Sequence, residues 1–249
     1  MTLRRVRNLR KNKCTFINPI PNNDLQTMTE LEVNCSSPET IKSSFNYIAE
    51  KLFKDYQLRV NSSYYRLLDI EFYYHANDVH EDVYAHKHPT QLERGKWYFH
   101  ASGIDITFGN GKNHGGILIR AIAKISNKGN KDKHFIEKEF HGPLIVKTEL
   151  LSHFHGPFES EPNILQLVDI SYDRMPALMQ EPRHIIKTKR INLNITKDSD
   201  QNFHGAKLRY IIFPGLKLKD KTQIALDMQQ QFPEMTTAEI NTEMGSKFL

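Results

Sequence analysis

Two acids, Asp69 and Glu71, interrupt an otherwise aliphatic and aromatic run, Tyr64-Tyr65-Arg66-Leu67-Leu68-Asp69-Ile70-Glu71-Phe72-Tyr73-Tyr74. That composition predicts a well-buried strand, and a carboxylate in the middle of such a strand is costly unless it is paired or hydrogen-bonded. The fold must therefore satisfy these acids as well as cover the strand. Alternation places Asp69, Glu71 and Tyr73 on one face. Three readings of Glu71 stand open: an acid on the solvent side of a sheet, a structural partner for Arg66 or Arg120, or a general base at the rim of a pocket.

The surrounding chain mixes helical and strand periods. Ser36 or Ser37 as N-cap and Pro38 in the first turn start a helix running to about Tyr56, with Ile41, Phe45, Ile48, Ala49 and Leu52 on one face. Trp97 to Phe108 and Gly116 to Ile125 are expected as two further strands joined by the turn Gly109 to Gly115. Asn127 to Lys133 reads as a polar loop, Leu144 to Leu151 as a helix after Gly142-Pro143, and Arg190 to Ile195 and Leu208 to Phe213 as strands. From Leu216 onward the chain reads as a polar, peripheral tail with a helix near Lys221 to Gln231. The class this order predicts is α+β.

Composition bounds the rest. At 249 residues the chain is long enough to bury a substantial core, read here as one domain behind a flexible N-terminal arm. No apolar run approaches the roughly 18 residues a membrane span needs, so no membrane partner is expected. The net charge of +5 favours polyanionic partners. Six basic residues, Arg4, Arg5, Arg7, Arg10, Lys11 and Lys13, precede the first acid, Asp24. They read as a solvated tail, a phosphate-binding arm or a presequence. Cys14 and Cys35 offer neither a disulfide framework nor paired ligand spacing, which suits a reducing cytoplasm.

The acid pair with an aromatic beside it has the makings of a site for glycosidic bonds. A base activates water against the anomeric carbon, negative charge favours the oxocarbenium-like transition state, and a planar leaving group stacks on a ring. The rival is a metal site, since His75, His80, His86, His88 and His100 all follow the strand. His86-Lys87-His88 alone is a weak ligand signal, and no His-Glu-x-x-His spacing occurs. Gly109-Asn110-Gly111 and Gly115-Gly116 match neither a phosphate loop nor a dinucleotide fingerprint. No Gly-x-Ser-x-Gly elbow or activated cysteine is present.

Taken in order, Glu71-Phe72-Tyr73, Ala85-His86, Trp97-Tyr98-Phe99-His100-Ala101-Ser102-Gly103 and Ile117-Leu118-Ile119-Arg120-Ala121 resemble the alkyladenine (3-methyladenine) DNA glycosylase family. That family has a strand with Glu-Ala-Tyr, a pocket histidine, a Tyr-rich strand ending in glycine, and a strand ending Leu-x-Arg-Ala. The resemblance covers roughly residues 43 to 215. It implies a single α+β domain with a curved, mainly antiparallel sheet core flanked by helices. The arm is then residues 1–25, the catalytic domain 26–215 and the tail 216–249. Carried over, it makes Glu71 the general base and Tyr73, His86 and Phe99 the walls against an extruded base. Arg120 organises the site or binds phosphate. Asp69, His88 and His100 are supporting candidates, with His80 also in view because the interval from Tyr73 to His86 is longer than the family's.

The implied activity is release of a modified, possibly alkylated, base from DNA by a Glu71-activated water in base excision repair. It needs no metal and no cofactor, and has DNA as partner with no obligate protein partner. The location expected is cytoplasmic, or on the nucleoid in a bacterium. One departure stands out: the family's intercalating tyrosine is replaced by Ser102. The rivals are a non-catalytic nucleic-acid binder of the same fold, a metal-dependent hydrolase built on Asp69, Glu71 and the histidines, and a free-nucleoside hydrolase.

Overall fold

Helix α1, Pro38–Lys54, starts as the sequence predicts, with Ser37 and Thr40 forming a reciprocal capping box and Pro38 in the first turn. Its buried face is Ile41, Phe45, Ile48, Ala49, Leu52 and Phe53. The helix stops before Tyr56 because that residue opens strand β1, Tyr56–Val60. The computed structural model describes residues 29–126, 136–170, 175, 179–195 and 202–248. The basic arm with Cys14 and the polar loop from Asn127 to Lys133 lie outside them.

The remaining strands are β2 (Ser63–Ala76), β3 (His80–Glu81), β4 (Arg94–His100), β5 (Gly103–Phe108), β6 (His114–Ile125), β7 (Ile136–His141), β8 (Leu165–Asp169), β9 (Ile186–Thr188) and β10 (Arg209–Ile211). They form one curved antiparallel half-barrel with the main order β4-β5-β6-β2-β1-β8. β7 pairs with β6, β3 and β10 pair with β2, and β9 pairs with β10. Helices α2 (Pro143–Ser152), α3 (Lys221–Gln231) and α4 (Thr237–Met244), with a short 3-10 turn at Pro89–Leu92, complete the described elements. The α+β class and the curved antiparallel core are as expected.

Strand β2 is central: β6 lies on one side and β10 on the other, with Glu71 opposite both Leu118 and Arg209. Its register with β6 slips twice. Leu67 pairs with Ile122, Asp69 with Ala121 and Ile70 with Ile119, so Leu68 and then Arg120 are extra residues. The slip changes which residues share a core. Tyr65, Leu67, Ile70, Phe72 and Tyr74 all join the α1 residues in one core, where Phe45 stacks on Phe72 at 4.7 Å. Leu68 joins a second core. Asp69, Glu71 and Tyr73 are left on the face opposite Phe72.

Three expectations need correction. Trp97 to Phe108 is two strands, because Ala101 and Ser102 make a tight turn that pairs His100 with Gly103. Glycine is required there: a Cβ on Gly103 would come within 2.8 Å of Pro143 Cβ and Leu118 Cδ1. Arg190 to Ile195 is a bent loop, with Asn192 left-handed at φ 60°. The chain from Leu216 onward is not peripheral. Its Ile224, Ala225, Met228, Ile240 and Met244 are fully buried against Leu68, Ala123, Ile125 and Ile211 in the second core. Five apolar side chains at helical spacing compensate for the polar average of that segment.

Candidate active site

A cavity of about 420 Å³ opens on the face of the sheet that carries Glu71. That is within the range of small-molecule sites. Tyr73 comes to it from β2, Leu118 and Arg120 from β6, Asp105 from β5 and His100 from β4. Tyr84, His86 and Gln91 close one side, Ser102 and Pro143 another, and Ile191 to Asn194 the last.

Glu71 sits behind this wall and is fully buried. Its Oε2 accepts from the Tyr73 hydroxyl at 2.7 Å and from Arg120 Nη1 at 3.2 Å. Its Oε1 accepts the backbone N–H of Ile191 at 3.0 Å. Burial raises the carboxyl above its ordinary value; Arg120 opposes the rise, Asp69 adds to it, and the Ile191 and Tyr73 hydrogen bonds oppose it. The acid is thus satisfied yet inclined to take a proton. Arg120 is the partner, and Arg66 is not: its guanidinium lies 5.9 Å over the Phe213 ring.

Asp69 has another task. Arg209 grips it with Nε at 3.0 Å and Nη2 at 2.8 Å, and Arg120 Nε stands 3.8 Å away. Arg120 therefore bridges both acids. Tyr73 is fixed from behind by Arg190, whose guanidinium lies 4.5 Å from its ring centroid and 5.4 Å from that of Tyr84. Arg190 is itself bound to Asp82 at 2.6 and 3.1 Å. Burial and the neighbouring Glu71 push the Tyr73 hydroxyl well above its ordinary value, so its proton stays in place.

Across the cavity, His100 Nε2 is 3.0 Å from Asp105 Oδ1, and Gln91 Nε2 donates to Asp105 Oδ2 at 3.1 Å. Gly116 makes room for this pair, since a Cβ there would be 2.5 Å from both Asp105 Oδ2 and Gln91 Nε2. His86 stands edge-on to His100 at 4.7 Å. The site thus combines a buried carboxylate, a carboxylate–imidazole pair and aromatic walls.

No family model matches the chain. An uncharacterized protein of Acanthamoeba polyphaga mimivirus is 35% identical over 209 residues, covering 72% of this chain and 91% of that protein. The chain belongs to the same family as that mimivirus protein. The match extends over nearly all of the viral protein.

Of the residues singled out from sequence, the structure brings Tyr73, His86, His100 and Arg120 to the cavity, with Glu71 and Asp69 directly behind Arg120. Phe99 is not among them. It alternates with Tyr98 and His100 along β4, is 43% exposed and does not line the cavity. His88 stacks on Tyr98 at 4.6 Å, and its Nδ1 accepts from the Thr90 N–H to cap the short turn Pro89–Leu92. His80 is packed edge-on to Phe45 and Phe203, where burial pulls its imidazole down to about 4. Among the described residues no three His, Cys, Asp or Glu side chains are grouped to hold a metal ion. No described helix is long and apolar enough to cross a membrane.

Sequence reasoning missed Asp105, Gln91 and Tyr84. Asp105 carried the same signal as Glu71, an acid inside the apolar run Gly103-Ile104-Asp105-Ile106. Gln91 and Tyr84 are in loops whose path toward the sheet no local pattern records.

Proposed function

We propose that this chain is an N-glycosidic hydrolase that releases a modified base from DNA. The observation that carries the reading is Glu71. It is a buried carboxylate with raised proton affinity, tied through Tyr73 and Arg120 to the wall of a base-sized cavity lined by tyrosine and histidine rings. The two oxygens of a carboxylate have about four lone-pair directions, and three are occupied by Tyr73, Arg120 and Ile191. The fourth, on Oε1, takes the attacking water. Glu71 removes its proton as the water closes on the anomeric carbon, while the negative charge nearby stabilises the cationic sugar.

The resemblance to the alkyladenine glycosylases supports the same assignment, and with it a glycosylase form of the half-barrel. A positive net charge supplies non-specific affinity for DNA. Where the family inserts a tyrosine, Ser102 lines the cavity beside Pro143. The two residues after Pro143, Leu144 and Ile145, are 54% and 55% exposed. They supply the apolar wedge for the space a flipped nucleotide leaves.

One observation favours a second reading, a non-catalytic binder of nucleic acid: Glu71 has no exposed surface and already accepts three hydrogen bonds from Tyr73, Arg120 and Ile191, as a structural acid does. Alkali-revealed strand cleavage on oligonucleotides carrying alkylated, deaminated and bulky bases separates the two. The hydrolase gives abasic product with wild type and none with Glu71→Gln. The binder gives none with either and keeps salt-sensitive affinity in both.

A further inference from the structure

The charge of this chain is concentrated at one end of the sequence. Residues 1–24 hold six basic side chains and one acid, Asp24, which accounts for the whole net charge of +5 and leaves residues 25–249 neutral. Four of the six are arginines, Arg4, Arg5, Arg7 and Arg10, and Leu3, Val6 and Leu9 recur among them at a spacing of three. That spacing is the pattern of an apolar stripe with basic flanks.

The fold offers a matching surface. A second cleft, of about 950 Å³, lies where α4 meets the loop from Phe213 to Leu216. Its floor includes Phe213, Leu216 and Met235, which pack on the second core and stay only partly buried. Its lining holds three acids, Glu181, Glu239 and Glu243, against one arginine, Arg183. Each acid is held in place: Glu243 by His184 Nδ1 at 3.0 Å, Glu239 by the Thr236 N–H at 2.8 Å, and Glu181 by Lys54 Nζ at 3.6 Å. None is used up, because a carboxylate has about four acceptor directions. Fixed carboxylates suit the planar fork of arginine, which can grip them at two points.

The described residues begin beside this cleft. Glu30 accepts from the Tyr56 hydroxyl at 2.5 Å just past the end of α1, and Lys54 at the end of that helix reaches Glu181 on the rim. The chain from Lys13 to Thr29 can span up to about 55 Å, so reach does not prevent residues 3–13 from returning to it.

We propose that residues 3–13 dock in this cleft of their own chain, with Leu3, Val6 and Leu9 on its apolar floor and the arginines on its acids. An apolar stripe laid into a hydrophobic groove is a recurrent mode of recognition, and the flanking charges fix its direction. Among the described residues none lines both this cleft and the cavity that carries Tyr73 and Arg120. The cleft and a polyanion then compete for the same six cations. The inference stands independently of the base-releasing reading.

The test is photo-cross-linking in the full chain, with p-benzoylphenylalanine in place of Met235 on the cleft floor and the adducts mapped by peptide mass spectrometry. The expected adduct joins that position to residues 1–16, with a yield that does not change on dilution. Arg4→Glu, Arg5→Glu and Arg7→Glu together are expected to lower the yield about fivefold, as the loss of three exposed ion pairs does. Leu3→Asp with Val6→Asp lowers it through the apolar floor, and Glu181→Arg, at a side chain 68% exposed, lowers it from the cleft side. Urea midpoints equal to that of the unsubstituted chain separate these losses from instability. Adducts confined to other residues, adducts between two chains whose yield rises with concentration, or a yield that none of these substitutions moves overturns the docking.

Discussion

Replacing Glu71 by glutamine separates a proton-hungry carboxylate from an ordinary ion-pair partner, and the difference appears in stability before any activity is measured. Burial raises the folded-state affinity of Glu71 for a proton above that of the unfolded chain, whose ordinary value is 4.5. A carboxyl group raised in this way contributes stability that is fully present below the unfolded value and is lost as pH climbs through the folded one. Between those two values the loss is about 1.4 kcal/mol per pH unit for one proton. Glutamine does not titrate there. The difference in unfolding free energy between wild type and Glu71→Gln, from urea melts at intervals between pH 4 and 8, is therefore expected to fall with pH from about 4.5 upward and then level off. The geometry sets the offset. Glutamine keeps one carbonyl for Tyr73 and Arg120 but turns its amide toward the Ile191 N–H, which loses its acceptor. A hydrogen bond to a charged group lost in this way costs about 1.5–3 kcal/mol. A difference that stays flat or rises with pH means that Arg120 outweighs burial. Glu71 is then an ionised structural partner, and the argument for a poised base fails.

Arg190→Ala leaves Asp82 buried without its two-point partner and is expected to cost about 3–5 kcal/mol in urea unfolding; a cost below about 1 kcal/mol contradicts the burial argument. Tyr73→Phe removes a hydrogen bond that lowers the Glu71 proton affinity, so the acid limb of the base-release profile is expected to move to higher pH; an unmoved limb separates Glu71 from the chemistry. Leu144→Ala with Ile145→Ala is expected to slow base release from duplex more than from single strands, because a wedge acts only on a stack. Equal effects on both remove these side chains from the wedge role.

The candidate site was half legible because part of its logic is local. The apolar stretch around Glu71 announces a buried strand, and period-two alternation puts Asp69, Glu71 and Tyr73 together without reference to the rest of the chain. The same alternation could have separated Phe99 from His100. The order of motifs favoured Phe99, and the strand placed it on the outside. His86 and His88 are two residues apart in a loop, where no period applies. Only the packing shows that one meets His100 while the other caps a turn.

By its sequence alone the protein is an α+β chain with a capped amphipathic helix, a central strand carrying two acids that demand partners, and no membrane-length apolar run among its residues. Which partners those acids receive was a tertiary decision. Glu71 is satisfied by Arg120, 49 positions away, and by the Ile191 N–H, 120 away, and Asp69 by Arg209, 140 away. The two slips between β2 and β6 aim Arg120 at both acids, and they arise from pairing between strands. The second core likewise exists only because the polar helices after Leu216 find Leu68 and Ile211 to cover. Local pattern specifies what a residue must avoid, exposure or an unpaired charge; long-range register selects which neighbour relieves it.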